Sequence, residues 1–519
     1  MENKNEVSYI KNIKCADVYT ESQTDYTLPE YGADVRKILF SRVTLRPSGR
    51  FAGGEEVEFS GVAVYNVVYL DSEGSIGSAE FTSDYDYSVK CSSDSYKDSV
   101  ADTRVASFAV RLVGPRKMSA KASLVGSVHI TECGEMTVSG DGFSGDRSAE
   151  VDTVMAKIRQ SLPSAVSERE YAELVTRLDG AIADEVSVVY SDGEATVDSL
   201  EASEDSVLIK GKLRMTAVIK NGDTPAFTAE KQVSFEESVE LLGVTPAMEL
   251  IPDLQVTSLK ASVNADETGV EVVMSGIVEL CVIAEGNSQV ELIRDGFLTD
   301  CPTDNSYESF NFSTFVDLAT EKGTHSGEIS RAELECEGLR EVIFLTSTPK
   351  IESVEQSDGV VTILGEVRYS GVASEDFGDS LTYTGIKFSS PFVVNVNIDC
   401  QNYDKIQLEP RVRAYDACAS VDAEKLYATC ALETSVLVTE DKSISVLSSM
   451  TCIEEESYKS EGAKITVYYP AKDETLFSVA KRFHTPTVKV AKDNGITESV
   501  FSEENPGRVL SGVKKLIIY

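Results

Sequence analysis

The chain has 519 residues, of which 42 % are hydrophobic, enough for roughly three or four ordinary domains with sizeable cores, which excludes global disorder. A formal net charge of −38 excludes nucleic-acid binding of the usual kind, because affinity for phosphate backbones comes from clustered Lys and Arg. Tryptophan is absent while valine, serine and threonine are abundant, so the expected fold class is mainly β.

The N-terminus, Met1-Glu-Asn-Lys-Asn-Glu-Val7, has no apolar segment of the kind a signal peptide needs. No run of about 18 apolar residues occurs along the chain, so no membrane-spanning helix is expected. Ten cysteines, at 15, 91, 133, 281, 301, 336, 400, 418, 430 and 452, form no Cys-x-x-Cys pair. Several lie in apolar, strand-like surroundings. They are expected to be buried reduced thiols, which favours a reducing, cytoplasmic location.

One strand pattern recurs around a glycine: Val57-Glu-Phe-Ser-Gly61-Val-Ala63-Val-Tyr65, Val207-Leu-Ile-Lys-Gly211-Lys-Leu213-Arg-Met215, and Val361-Thr-Ile-Leu-Gly365-Glu-Val367-Arg-Tyr369. Apolar residues stand two and four positions either side of each glycine, the period of a strand with one buried face. A glycine inside such a strand implies a bulge or a close approach of another group. A second landmark follows 65 residues later in each copy, at Gly126, Gly276 and Cys430. An apolar pair precedes each first glycine by about 22 residues: Ile38-Leu39, Val188-Val189 and Val342-Ile343. Three agreeing offsets predict three tandem β-rich units of sandwich or barrel type, over 1–147, 148–300 and 301–455.

Turns at Asp71-Ser-Glu-Gly74 and Lys220-Asn-Gly222-Asp223 predict hairpins. Between the first two units, Ala149–Leu178 contains helix formers interrupted by Pro163 and reads as one or two short linking helices. Residues 456–462 are polar and acidic, a linker to a final module over 463–519. That module carries nine Lys or Arg against six Asp or Glu, a net +3 on an otherwise acidic chain.

The final segment predicts β-α-α-β. Ile465–Tyr469 is a strand, and Thr475 caps a helix with Leu476, Val479, Ala480 and Phe483 on one face. Pro486 opens a second helix ending near Asn494 and Gly495, and Lys515–Tyr519 closes as a strand. This order resembles the LysM family: Asp473-Glu474-Thr475-Leu476 and Phe477-Ser-Val479-Ala480 stand at its Gly-Asp-Thr-Leu and Trp/Phe-x-Ile-Ala positions. Asn494 and Ser511-Gly512-Val513 stand at its late Asn and its last turn. The resemblance implies a binding surface that includes Asp473, Glu474, Thr475, Leu476, Phe477, Lys481, Arg482, Asn494 and Gly512, with Lys489 and Lys492 alongside. LysM modules of the sugar-binding kind hold N-acetylglucosamine polymers between these two loops. Here Asp473 replaces the family's Gly, which restricts the backbone that would face a sugar, and the late loop lacks the family's Pro and Gln. A protein ligand is therefore favoured over peptidoglycan glycan. The alternative role for Leu476, Val479 and Phe483 is simply the module's core.

β-Rich repeats ahead of a C-terminal LysM resemble the spore-coat morphogenetic proteins that carry SPOCS domains, formerly domains of unknown function. The resemblance rests on Leu28-Pro-Glu-Tyr-Gly-Ala-Asp34-Val-Arg-Lys-Ile38-Leu39 and the Val-x-x-x-Gly strands. The three-repeat layout is similar to the clostridial, SipL-like type. It implies a scaffold on the mother-cell side of the forespore surface, its LysM contacting the coat's morphogenetic ATPase or another coat protein.

No Walker loop, Gly-x-Ser-x-Gly elbow or His-Glu-x-x-His pair occurs, and only His129, His325 and His484 exist. Asp141-Gly-Phe-Ser-Gly145-Asp reads as a tight turn, since no histidine pairs credibly with it. No catalytic residue, cofactor or metal site is expected.

Overall fold

The structure is a computed structural model and describes residues 5–30, 32–53, 56–90, 96–138, 149–265, 267–377, 380–400, 405–453, 465–471, 474–496, 510 and 513–519. Strands dominate, as composition predicts. The first group comprises β1 (Asn5–Thr27), β2 (Val35–Gly53), β3 (Glu56–Asp71), β4 (Ile76–Lys90), β5 (Tyr96–Gly114) and β6 (Lys117–Val138). The second comprises β7 (Ala149–Pro163), β8 (Ser167–Asp179), β9 (Val186–Ser203), β10 (Ser206–Asn221), β11 (Phe227–Glu240), β12 (Glu249–Ala265) and β13 (Gly269–Leu298). The third comprises β14 (Thr303–Ser330), β15 (Leu339–Ser357), β16 (Val360–Phe377), β17 (Ser380–Asn397), β18 (Ile406–Val421) and β19 (Lys425–Cys452).

Each group folds into two antiparallel sheets. In the first they are ordered β1-β6-β5 and β2-β3-β4; in the third, β14-β19-β18 and β15-β16-β17. The second repeats the plan with β9-β10-β11 and β12-β13, except that its first strand is split. β8 pairs with the first half of β13 and β7 with the second half. The expected helices over Ala149–Leu178 are therefore absent. From Met155 to Ile158 β7 alternates exposed and buried side chains, and Pro163 ends the strand instead of breaking a helix. Two long free stretches of β13 needing partners overrode a weak helical propensity.

Each pair of sheets closes on its own core. The residues flanking the landmark glycines point inward: Val57, Ala63 and Tyr65, all four of Val207, Ile209, Leu213 and Met215, and all four of Val361, Ile363, Val367 and Tyr369 are fully buried. Both expectations for the glycines hold. Opposite each one the partner strand bulges, at Pro47/Gly49, between Lys210 and Gly211, and at Ile351/Ser353. An aromatic ring from the third strand of the sheet also lies over each. A Cβ would meet Tyr85 at 2.3 Å on Gly61, Phe235 at 2.6 Å on Gly211 and Phe392 at 2.6 Å on Gly365. The second landmark is small for the same reason: Gly126 sits under Tyr87, and at the third site the Cys430 thiol lies 3.4 Å from the Tyr369 hydroxyl.

The apolar pairs have a different job. A bulge falls on Leu39, Val189 and Ile343, shifting the register on either side. A bulge lets two successive side chains face the same way, so each bulged residue and its successor both enter one shared cluster. That cluster joins Leu39, Phe40, Val68, Val189, Tyr190, Val218, Ile343, Phe344 and Val372 from all three groups. At its centre three rings form a triangle: Phe40–Tyr190 at 5.2 Å, Phe40–Phe344 at 5.0 Å and Tyr190–Phe344 at 4.4 Å. Polar contacts tie the same seams. Arg42 pairs with Asp192 at 2.6 Å, the Tyr383 hydroxyl accepts from Ala226 N at 2.8 Å, and Arg214 pairs with Asp416 at 3.2 Å. The backbone of Gly385 abuts the Leu39 carbonyl. The three sandwiches thus meet around a common axis in a ring.

The later halves of β13 and β19 run beyond the sandwiches as arms with β7 and β14. Ala156, Ile158 and Leu292 of one arm pack on Phe310, Phe312 and Val446 of the other. At the base of the first arm Arg159 donates twice to Glu285, at 2.8 Å each, with both side chains buried. One cysteine expectation fails. Cys301 and Cys452, 151 residues apart with Cα atoms 6.0 Å apart, form a disulfide at one end of the antiparallel β14–β19 pair, where Thr303 lies opposite Cys452. Sequence distance hid the pairing that the β14–β19 register creates. Of the other described cysteines, Cys336 and Cys430 are buried while Cys418 is exposed.

Candidate functional site

The C-terminal module consists of β20 (Thr466–Tyr468), α1 (Leu476–Arg482), α2 (Thr487–Asp493) and β21 (Leu516–Ile518), with β20 and β21 antiparallel. The strand-helix-helix-strand order is the one read from the sequence. Thr475 caps α1: its hydroxyl accepts from Ser478 N at 3.1 Å, and Ser478 Oγ accepts from Thr475 N at 3.2 Å. This reciprocal arrangement satisfies two backbone donors that a helix start would otherwise leave open. Pro486 stands just ahead of α2, and Gly495 takes a φ of 63° after it, the left-handed turn that favours glycine.

Several residues expected at the binding surface hold the module together. Leu476, Val479 and Ala480 are buried with Val490, Leu516 and Ile518. The Glu474 carboxylate accepts from the Tyr468 hydroxyl at 2.8 Å and from Ala471 N at 3.0 Å, and pairs with Arg482 at 3.1 Å. Arg482 in turn lies 5.1 Å from the centroid of the Tyr468 ring. Asn494 is a staple between α2 and β21. Its amide nitrogen donates to the carbonyls of Val490 at 2.9 Å and Ile517 at 2.8 Å, and its oxygen accepts from Ile517 N at 2.5 Å. Lys489 and Lys492 are exposed. Asp473, Gly512 and the linker 456–462 lie outside the described residues, as does the Asp141–Asp146 turn.

Phe477 and Lys481 face the arm of the second group. The Phe477 ring meets Phe297 edge-on at 5.5 Å, and Phe297 is buried in the module's own core. Lys481 Nζ reaches both oxygens of Asp295 at 2.6 Å. Thr487 donates to Glu150 at 2.6 Å. Asp295 is held in place by the Tyr307 hydroxyl at 2.7 Å and Gly296 N at 2.8 Å. Burial pushes its carboxyl pKa up, but hydrogen bonds from Lys481, Tyr307 and Gly296 outweigh this and leave it below the usual value. The arm residues were missed in the sequence, where nothing distinguishes Asp295 among 86 acidic residues.

Among the described residues of the module, apolar side chains in and beside β20 are exposed. Ile465, Val467 and Tyr469 alternate along β20 and stand 59 %, 52 % and 70 % exposed, and Tyr519 beside them is 57 % exposed. Five exposed apolar side chains on so small a body, counting Val488 on α2, are the type of surface that marks a contact site.

His325 and His484 lie among the described side chains. His325 bridges the Tyr369 hydroxyl at 2.9 Å and the Pro391 carbonyl at 3.1 Å. Burial lowers the His484 pKa. Among the described residues no group of three or more His, Cys, Asp or Glu is placed to hold a metal, and no helix is long and apolar enough to cross a membrane.

Residues 186–264 match the family model described as SipL, SPOCS domain. The matched span covers β9, β10, β11 and nearly all of β12. It points to a sporulation-related protein. No curated protein matches the chain.

Proposed function

We propose that the chain is a non-enzymatic scaffold of spore coat assembly, working on the mother-cell side of the forespore surface. The observation that carries this reading is the SPOCS match over 186–264. The matched sheet of β9-β10-β11 has counterparts of the same order in β2-β3-β4 and β15-β16-β17, with bulges and glycines at corresponding places. On this reading the three groups are copies of one domain and the C-terminal module is a LysM. The module is the docking head for a coat basement-layer protein such as its morphogenetic ATPase, met through protein–protein contacts. The apolar β20–β21 face suits a protein surface better than a hydrated sugar polymer, which is held by convergent polar groups in a cleft. The disulfide removes the cysteine count as support for a reducing compartment, so the location rests on the SPOCS match alone.

The test is a sedimentation assay of the purified full chain with cell-wall sacculi. No retention is expected. Retention that depends on residues 463–519 and is competed by N-acetylglucosamine oligomers would replace the protein-docking reading with glycan binding. Turnover of any substrate surviving deletion of 463–519 would overturn the non-enzymatic one.

A further inference from the structure

The three seams of the ring are built alike, and one is open where the other two are closed. Ser78, Thr228 and Gly385 stand at the same place in their groups, opposite Val68, Val218 and Val372. Between the second and third groups the Thr228 hydroxyl donates to the Ile343 carbonyl. Between the third and first, the backbone of Gly385 abuts the Leu39 carbonyl. Between the first and second, Ser78 is exposed and has no side-chain hydrogen bond among the described residues. The strands on the far layer differ in the same way. β18 is stitched to the second group, Arg413 donating to the Ala195 carbonyl at 3.0 Å and Asp416 N to Glu194 at 3.1 Å. Its counterpart β12 comes up to the first group at Leu259–Ala261 and makes no such bond there among the described residues.

A cavity of about 330 Å³ is left, walled by β3 and β4 of the first group and by β9 and β12 of the second. Its volume lies at the low end of the roughly 300–1,000 Å³ of ligand clefts. Val68, Val189 and Leu259 make part of the lining apolar. Asn66, Ser78, Glu80, Ser191 and Lys260 make the rest polar, and none of these five side chains has a partner among the described residues. Glu80 and Lys260 come from different groups and are not paired with each other. β4, β9 and β12 are each the last strand of a sheet, so each carries an edge with no ladder partner among the described residues.

We infer that this cavity binds an extended peptide segment carrying one basic and one acidic side chain. A strand-like peptide is the ligand whose backbone matches free strand edges, and its side chains alternate to two sides. Glu80 suits the basic side chain, Lys260 the acidic one, and the Asn66 amide, both donor and acceptor, suits a peptide group. A sugar is disfavoured because the one ring in the lining, Tyr190, is buried against Phe40 and Phe344 and offers no stacking face. The inference does not depend on what the C-terminal module binds.

The experiment is saturation-transfer NMR on the full chain with the tripeptide Arg-Val-Glu, acetylated and amidated at its ends, at about 1 mM to suit a ligand so small. Transfer to the peptide is expected. Glu80→Gln and Lys260→Gln should each weaken binding about two- to fivefold, the range of exposed charge pairs. Arg-Val-Gln should bind the native chain as weakly as Arg-Val-Glu binds Lys260→Gln. Ser78→Tyr, which fills the cavity from an exposed position, should abolish transfer with the melting temperature unchanged. No transfer from the native chain would overturn the inference, as would equal binding of the two peptides. Transfer that survives both Ser78→Tyr and Glu80→Gln would place the peptide elsewhere. Transfer to an N-acetylglucosamine trimer that Ser78→Tyr removes would replace the peptide site with a glycan site.

Discussion

At the level of single residues, the Arg159–Glu285 pair is a costly commitment. Two charges are withdrawn from water and paired with each other, and the Ser161 hydroxyl donates to Glu285 at 2.6 Å. Removing one partner strands the other, so Arg159→Met should cost about 3–5 kcal/mol, while replacing both by apolar residues of similar volume should recover most of the loss. Urea unfolding of the single and double variants checks this, and equal destabilisation by both would show the pair is not the determinant. The glycines give a sharper contrast. Gly211→Ala places a methyl 2.3 Å from the Thr196 carbonyl and 2.6 Å from the Phe235 ring, and a ladder carbonyl cannot step aside. A loss of about 1–3 kcal/mol is expected, as for other overpacked sites. Gly323→Ala on β14 meets nothing within 4 Å and should be neutral or slightly stabilising in the same melt.

Among the elements, the small module shows which bonds belong to its fold and which to its contact with the β7–β13 arm. Asn494→Ala removes two hydrogen bonds to Ile517 that bind α2 to β21 and a third to Val490 within α2, and it should destabilise the module by about 1–3 kcal/mol. Hydrogen exchange of 487–493 should rise while that of β10 stays unchanged. The Lys481–Asp295 contact with the arm responds to pH instead. The folded pKa of Asp295 lies below its ordinary value, so its contribution is complete above the unfolded pKa and is lost only as pH falls through the lower, folded one. Exchange in α1, corrected for its intrinsic pH dependence, should therefore hold steady down to about pH 4 and accelerate below it. Acceleration near pH 6 would assign the contact with the arm to another group. These same elements mark what the chain discloses when read alone. Period-two patterns, turn glycines, the Thr475 cap and the module's element order were all legible, because each is written in neighbouring residues. The helices expected over Ala149–Leu178 were wrong because the partner that makes β7 and β8 strands lies about a hundred residues away in β13. Lys481 and Phe477 could be singled out, but their partners Asp295 and Phe297 carry no local mark.

For the molecule as a whole, the question is what makes three sandwiches one body. Each has an apolar core of its own, so each could persist alone. The central cluster is shared, and its inner ring is one aromatic from each group at corresponding positions, Phe40, Tyr190 and Phe344. The sequence displays only half of this device: the apolar pairs ending at Leu39, Val189 and Ile343 are visible, and the aromatic after each is the residue that closes the ring. A bulge at each pair turns two adjacent side chains to the axis, which an uninterrupted strand cannot do. A closed ring also leaves no unpaired copy of the interface from which an open chain of molecules could grow. If the aromatic triangle carries the coupling, Phe344→Ala should do more than lower stability by the roughly 3–5 kcal/mol of a large-to-small core change. It should separate the unfolding of the groups, so that a single calorimetric transition becomes two or more and the van't Hoff enthalpy falls below the calorimetric one. A transition that stays single and merely moves to lower temperature would place the coupling in the arms, where β7, β13, β14 and β19 pack together. In that case Phe310→Ala, not Phe344→Ala, should be the substitution that splits it.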